Sequence, residues 1–473
     1  MLAVAVFLAV LALLAVFAEL SRAAPWEMDE YFVLSSYRDH GLTFFFDRLL
    51  TWSPRPVSEA ILYLYALAVA QAGRPLSAWL LGPLWAMFIA SGFVTVRWRA
   101  PGLIWRLLAA ASLLAIFVVG RRPTEIFYWP VGAAAYLLAL AALTLSFFLL
   151  ADGRTATRAG RSLLTVSLLV VALSVELGAV FVGCYAGIRL LQRLFAPAGS
   201  PGERRSASAE IAILLLASVG VLALLATHRV LKADEFASGN QALVHHALPS
   251  LLAAVRALPS DTLTLTGDAP WLGSSFWLDL ALGLFSKAAF AIGLHWCWHR
   301  AKAIPPASRA LAAFAVTALA MPLLALAASY YQFGLLCCSR HAELRQVMVF
   351  FGLAAVAVLI PAMAQPTVWR VALAPLLLAA AVALPFGSML PALQHDERER
   401  AATSATSMEN WRSGHAPGPD MVFRLSPHHE LLPDGELPPG RYTAGSADLP
   451  WAAQGLFWFF HKQAVTVLPA HDQ

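Results

Sequence analysis

The chain has 473 residues, of which 59% are hydrophobic and only 13% charged, against about 25% charged in ordinary soluble domains. With a mean hydropathy of +0.67, this composition excludes a set of two or three soluble globular domains. The formal charge of +5 comes from Arg far more than from Lys, and no basic face interleaved with aromatics is present, so nucleic acid is not the expected partner.

Repeated uncharged apolar runs of about 20 residues can cross about 30 Å of hydrocarbon at about 1.5 Å per helical residue. The sequence therefore predicts an all-α polytopic membrane protein. Its spans read as Leu2–Leu20, Leu76–Val96, Gly102–Val119, Val131–Leu150, Leu163–Leu177, Gly178–Phe195, Ile211–Thr227, Phe276–Trp296, Leu311–Ala328, Val347–Met363 and Val371–Met389, about eleven crossings. The first is expected to stay as an uncleaved helix, although Ser21-Arg22-Ala23-Ala24 resembles a signal-peptidase site. Val57–Ala72 follows Pro54 and Pro56 and repeats Ile61, Leu64, Tyr65 and Ala68 on one face. That pattern predicts an amphipathic helix in the outer interface rather than a crossing. Ala198–Ala209 reads as a flexible linker.

Short loops retained in the cytoplasm carry the excess of Lys and Arg. Alternate loops here hold Arg97, Arg99 and Arg106, then Arg154, Arg158 and Arg161, then Arg189, Arg193, Arg204 and Arg205, then Arg300, Lys302 and Arg309, and finally Arg370. The N-terminus is thus expected in the cytoplasm and the C-terminus outside it. Residues 1–390 form the transmembrane domain, with one outer loop at 21–75 that carries the interfacial helix and another at 228–275. Residues 391–473 form an extracytoplasmic C-terminal tail, Pro-rich in its middle and closed by an aromatic patch of Trp451, Phe457, Trp458, Phe459 and Phe460 expected to pack back on the membrane domain or its interface.

Directly after the first span stand Glu27, Asp29 and Glu30. Crowded carboxylates bind a cation or raise one another's pKa, which suits a metal ligand or a base; a solvated acidic loop is the alternative. The outer side also collects Arg55, Arg74, Arg121, Arg122, Arg340 and Arg345. Guanidinium binds phosphate bidentately, so a phosphate-bearing lipid at the outer leaflet would account for them, as would ion pairs with Glu125, Glu343 or head groups. Tyr128, Trp129 and Tyr331 are interface anchors or sugar contacts. Glu176 sits at an outer turn between two spans, where an acid caps, pairs or lines a cavity. Lys287 and Asp279 share a helical face, and either pair through a neighbour or meet a wet cavity. His295 and His299, four apart around Cys297, read as structural polarity rather than a metal site. His245-His246 and His428-His429 are weak signals alone. Four cysteines, two of them adjacent at Cys337-Cys338, show no metal spacing, and neither a disulfide framework nor a zinc site is expected.

The order of these features resembles the GT-C superfamily of membrane glycosyltransferases. It runs from one span to a first outer loop with Asp29-Glu30-Tyr31-Phe32, then Trp52-Ser53-Pro54-Arg55-Pro56 and an interfacial helix, then a span ending in cytoplasmic Arg. The segment Phe127-Tyr128-Trp129-Pro130-Val131-Gly132 with Tyr136, and Ser339-Arg340 before a late span, look like the bacterial branch related to serotype-converting glucosyltransferases. Trp451 to Lys462 resembles that branch's closing motif, but Ala452-Ala453 stand where an Asn is usual and Phe459-Phe460-His461 where Tyr-Tyr-Gly is usual.

The resemblance implies a bacterial inner-membrane enzyme that moves a sugar from a polyprenyl-phosphate donor to an extracytoplasmic glycan or lipid acceptor, with inversion. Asp29, with Glu30 as second choice, would be the general base. Arg340, Arg121, Arg122 and Arg55 would hold the donor phosphate. Glu27, Tyr128, Trp129, Glu176, Tyr331 and His245 would contact acceptor or sugar. Arg alone can neutralise a monophosphate leaving group, and the extra acid leaves room for Mg²⁺ or Mn²⁺. A secondary transporter and a flippase for lipid-linked glycans are the competing expectations.

Overall fold

The structure is a computed structural model. It describes residues 1–26, 28–195, 201–231, 240, 242–266, 274–301, 307–336, 338–361, 368–433, 437–446 and 449–470. In chain order the helices are α1 (Leu2–Leu20), α2 (Met28–His40), α3 (Leu42–Asp47), α4 (Pro56–Ala72), α5 (Ser77–Phe93), α6 (Leu103–Val119), α7 (Pro130–Ala151), α8 (Arg158–Ser174), α9 (Glu176–Leu194), α10 (Pro201–Leu231), α11 (Ala247–Thr262), α12 (Ser274–Arg300), α13 (Ser308–Phe333), α14 (Ser339–Leu359) and α15 (Val368–His415). Strands β1 (Asp420–Arg424) and β2 (Gly440–Thr443), helix α16 (Trp451–Phe460) and strand β3 (Ala464–Leu468) complete the chain.

Among the described residues, eight helices are long and apolar enough to cross a membrane: α1, α7, α9, α10, α12, α13, α14 and α15. The protein is a polytopic helical membrane protein. Each expected apolar run overlaps a helix, although Leu163–Leu177 is broken at Val175 and the end of Val347–Met363 lies outside the described residues; those of α5, α6 and α8 lie on helices of 17 residues. Much of the expected linker is helical, since α10 begins at Pro201. Residues 196–200 lie outside the described residues.

Two compact units divide the chain. One comprises Met1–Ala15, Met87–Arg122 and Ala139–Met389; the other comprises Val16–Ala86, Pro123–Leu138 and Leu390–Gln473.

In the first unit, local chemistry sets where helices stop. Val175 is extended between α8 and α9, and a Cβ on Gly178 would collide with the Val171 carbonyl, so the turn between these helices needs glycine there. Arg106, expected in a cytoplasmic loop, is instead buried within α6. Its guanidinium is paired with Asp152 at 2.8 Å and lies over the rings of Phe148 and Trp298 at 4.0 and 4.9 Å. Burying that charge is tolerable only because carboxylate, Thr95 hydroxyl and ring faces replace its water.

The two open readings of Lys287 and Asp279 resolve into a single arrangement. The Lys287 ammonium donates to the Thr264 carbonyl at 3.2 Å. The Asp279 carboxylate accepts from the Thr266 N–H at 3.1 Å and from its hydroxyl at 3.1 Å. Residues 279, 283 and 287 recur every fourth position and form one stripe of α12. That stripe holds the segment 263–266 that follows α11. At the middle of the stripe, a Cβ on Gly283 would collide with the Leu263 carbonyl. Gly283→Ala is therefore expected to lower the thermal midpoint of the detergent-solubilised protein, as overpacking typically costs about 1–3 kcal/mol; an unchanged melting curve would count against this packing.

Cys338 corrects the expectation for the cysteines. It is disulfide-bonded, with its partner outside the described residues, whereas Cys184 and Cys297 are free. Cys338 itself turns into α14 with φ at 57°.

In the second unit, α2 packs on α4 and on α16. The interfacial-helix segment is α4, which starts with Pro56 at its first turn and ends at left-handed Gly73. Its buried face is Ser58, Glu59, Leu62, Tyr65, Ala66 and Val69, about one residue round from the face expected, and Leu64 is exposed. The reason is Glu59. Its carboxylate receives Arg48 at 2.8 Å and the Tyr37 hydroxyl at 2.6 Å, so a polar knot turns the helix. Burial first, and then Glu59, push the Tyr37 phenol well above its usual range.

The tail departs most from expectation. α15 does not stop at Met389 but continues to His415. Beyond it β3 lies between β1, parallel to it, and β2, antiparallel. The aromatic patch forms α16. Phe459 and Phe460 join Trp26, Tyr31 and Trp411 in one cluster, with ring centroids 4.9 to 5.7 Å apart across its pairs. Such edge-on and tilted pairs add about 0.5–1.5 kcal/mol each beyond burial.

Asp396 holds the tail's irregular stretch. Fully buried, its carboxylate accepts the N–H groups of Glu430, Leu431 and Leu432 at 3.0, 2.8 and 2.8 Å, with the His429 ring 3.6 Å away. Burial pulls its pKa up, but His429 and these donors outweigh it and hold it below the ordinary carboxylate value. A depressed folded pKa contributes stability that is complete above the unfolded value and lost as pH falls through the folded one. Asp396→Asn should therefore lower stability at neutral pH by about 1–3 kcal/mol and flatten the loss of stability below about pH 4. Thermal melts of both proteins across pH 3–7 check this, and parallel acid limbs would refute it.

Candidate functional site

The acids after the first span occupy the opening turn of α2. Glu27 lies outside the described residues. Asp29 and Glu30, though adjacent, have different surroundings. Successive helical residues differ by about 100° around the axis, so one carboxylate turns into the unit and the other towards its surface. Asp29 is partly exposed. Glu30 is fully buried and its Oε1 accepts the Val131 N–H at 3.4 Å.

Val131 is in the first turn of α7, where backbone N–H groups lack helical partners and the helix dipole favours an anion. Pro130, with no N–H to leave unpaired, starts that helix. Tyr31 and Tyr65 surround the same carboxylate. Burial, and then Glu30, push both phenols above their usual range. The Tyr65 hydroxyl also accepts from the Trp26 indole at 3.1 Å.

Arg55 reaches the same helix. It precedes α4, its guanidinium lies 5.6 Å from the centre of the Tyr136 ring, and Nη2 is 3.5 Å from the Tyr136 hydroxyl. Glu30 and Arg55 are thus both anchored on the first two turns of α7, with Asp29 at the surface beside Glu30. An accessible carboxylate supported by a buried, hydrogen-bonded neighbour can accept a proton, and an only partly buried guanidinium can meet a phosphate. Tyr128 is fully buried and donates to the Phe17 carbonyl at 2.9 Å, and Trp129 is buried as well.

The remaining candidates belong to the first unit. Arg121 is buried and donates to the Asp261 carbonyl, Arg122 is exposed, and Arg340 is partly exposed in the first turn of α14. Arg345 grips the Asp261 carboxylate through two bonds of 2.7 Å, and Gln346 donates to the Asp261 carbonyl at 2.8 Å. Asp261, at the end of α11, is the residue that sequence reasoning passed over. Its one signal is an acid near the end of an amphipathic stretch in the 228–275 loop. Glu176 opens α9 and is partly buried. His245 and Tyr331 are brought together: their rings lie 5.3 Å apart and the His245 N–H donates to the Tyr331 carbonyl at 2.8 Å.

Among the described residues no three His, Cys, Asp or Glu side chains gather as a metal-binding group. No protein-family model, curated protein or solved structure matches the chain.

Proposed function

We propose that the protein is an integral membrane glycosyltransferase that moves a sugar from a polyprenyl-phosphate donor to an extracytoplasmic glycan or lipid acceptor, inverting the anomeric centre. The observation that carries this is the asymmetric acid pair: Glu30 is buried and tied to the start of α7, while Asp29 is partly exposed, with the Arg55 guanidinium packed against Tyr136 of α7. In this mechanism Asp29 takes the proton of the acceptor hydroxyl as its oxygen bonds to the anomeric carbon. The bond from that carbon to the phosphate oxygen breaks, and the phosphate leaves with the electron pair. Arg55 stabilises the charge that develops on the leaving group. Glu30 is a positioning residue that fixes the opening turn of α2.

Arg121, Arg122 and Arg340 have separate tests as donor-phosphate ligands. Loss of such a contact raises KM for the lipid donor, lowers kcat, or both. The deciding assay incubates the purified full chain with polyprenyl-phosphate sugars and acceptor lipids, with and without Mg²⁺ or Mn²⁺, and follows label transfer. Transfer supports the enzyme. Solute uptake into proteoliposomes that contain no lipid-linked sugar, with no transfer in either assay, would establish the transporter instead.

A further inference from the structure

A cavity of about 470 Å³ opens within the first unit between α12, α14 and the start of α15, well inside the usual range for a ligand site. Its lining is partly aliphatic, with Ile292, Leu353 and Val356, and partly aromatic and basic, with Trp105, Trp296, Trp369, Arg300 and Arg370.

His295 and His299 also line it, and the fold explains their spacing. α14 ends just before Pro361, which has no N–H to offer the Ala357 carbonyl. The His295 Nδ1–H fills that place at 2.8 Å, and one turn on the His299 Nε2–H donates to the Ile360 carbonyl at 2.8 Å. The two rings are therefore fixed by capping α14.

The guanidinium groups differ in having no such capping bond among the described residues. Among the described residues neither Arg300 nor Arg370 has a carboxylate partner, and no acid lines the cavity. Arg370 Nε is buried without a hydrogen-bond partner, and its guanidinium lies 5.3 Å from the Trp369 ring. A partly buried guanidinium with an unpartnered Nε, lining the same cavity as the exposed guanidinium of Arg300, calls for an anion. The aliphatic lining and the indole rings at the end of a long apolar helix call for an acyl chain beside it.

We propose that this cavity binds the phosphate head group of an anionic lipid, with Arg300 and Arg370 on the phosphate and the acyl chain along α12 and α14. The site is independent of the glycosyltransferase assignment and uses none of its residues.

The test is native mass spectrometry of the full chain released from detergent, titrated with phosphatidic acid, phosphatidylcholine, glycerol 3-phosphate and inorganic phosphate. Phosphatidic acid should bind more tightly than the other three. Each Arg→Ala change should weaken it about tenfold, and Arg300→Ala with Arg370→Ala about a hundredfold. Replacing both by Lys keeps the charge and should preserve most of the affinity, which separates lost binding from lost folding. Arg97→Ala, an exposed Arg outside the cavity, should change nothing. Equal affinity in wild type and the double Ala variant overturns the proposal. Phosphatidylcholine binding as tightly overturns the anionic preference, and glycerol 3-phosphate or inorganic phosphate binding as tightly overturns the lipid.

Discussion

Asp29→Asn is expected to cut glycosyl transfer by about 10²–10⁴-fold, the usual contribution of a positioned general base, while the protein melts at its normal temperature. The second half of that statement comes from burial. Asp29 is partly exposed, so solvent screens the contacts that a neutral amide of the same shape would weaken there. Because the base acts only as the sugar carbon becomes cationic, kcat and kcat/KM should fall together with KM for the lipid donor unchanged. Glu30→Gln should behave differently. Its carboxylate is fully buried at the start of α7, so the change removes an anion from a helix N-terminus as well as from the site. It should lower thermal stability as well as turnover. Full activity of Asp29→Asn at equal abundance would remove the residue from the mechanism; a matching loss of stability would make its role structural.

The difference between these two acids shows what the sequence could and could not disclose. Three carboxylates in four positions announce a special loop, because self-repulsion there needs a reason. Which one is buried depends on the direction of α2 and on a backbone N–H of α7 a hundred residues later, which no local pattern encodes. The apolar runs were legible because spanning hydrocarbon imposes a length and a composition on each helix by itself. The face of α4 was not, because apolar periodicity ranks Leu64 above Glu59, and only the Arg48 and Tyr37 partners make the acid the inward residue.

The end of α15 was misplaced for a related reason. Past Met389 the composition turns charged, which marks the end of hydrocarbon and not the end of a helix. Glu397 and Arg400, three apart and 3.4 Å from each other, suit a solvated helical face. Burial of Met421 and Phe423 on alternate residues of β1 is a strand signal only two residues long, too short to outweigh the prolines around it.

Removal of either partner of the Asp261–Arg345 pair should produce the largest stability loss in the first unit, about 3–5 kcal/mol. Both side chains are nearly inaccessible and meet through two bonds of 2.7 Å, so Arg345→Ala would leave a carboxylate in apolar surroundings, and Asp261→Ala a guanidinium. The pair also fixes the end of α11, whose Asp261 carbonyl receives Arg121 and Gln346. Replacing both members with apolar residues of similar volume should recover much of the loss, because the main penalty is the uncompensated charge rather than the missing attraction. A double-mutant cycle read by denaturant or thermal melts in detergent measures this. Additive losses would show that the two residues act separately. A separate variant, Arg121→Lys, tests Arg121 as a phosphate ligand. If its main task is to hold α11, Arg121→Lys should lower the melting temperature and leave KM for the lipid donor unchanged. If it binds the donor, KM should rise while the melting temperature stays near normal.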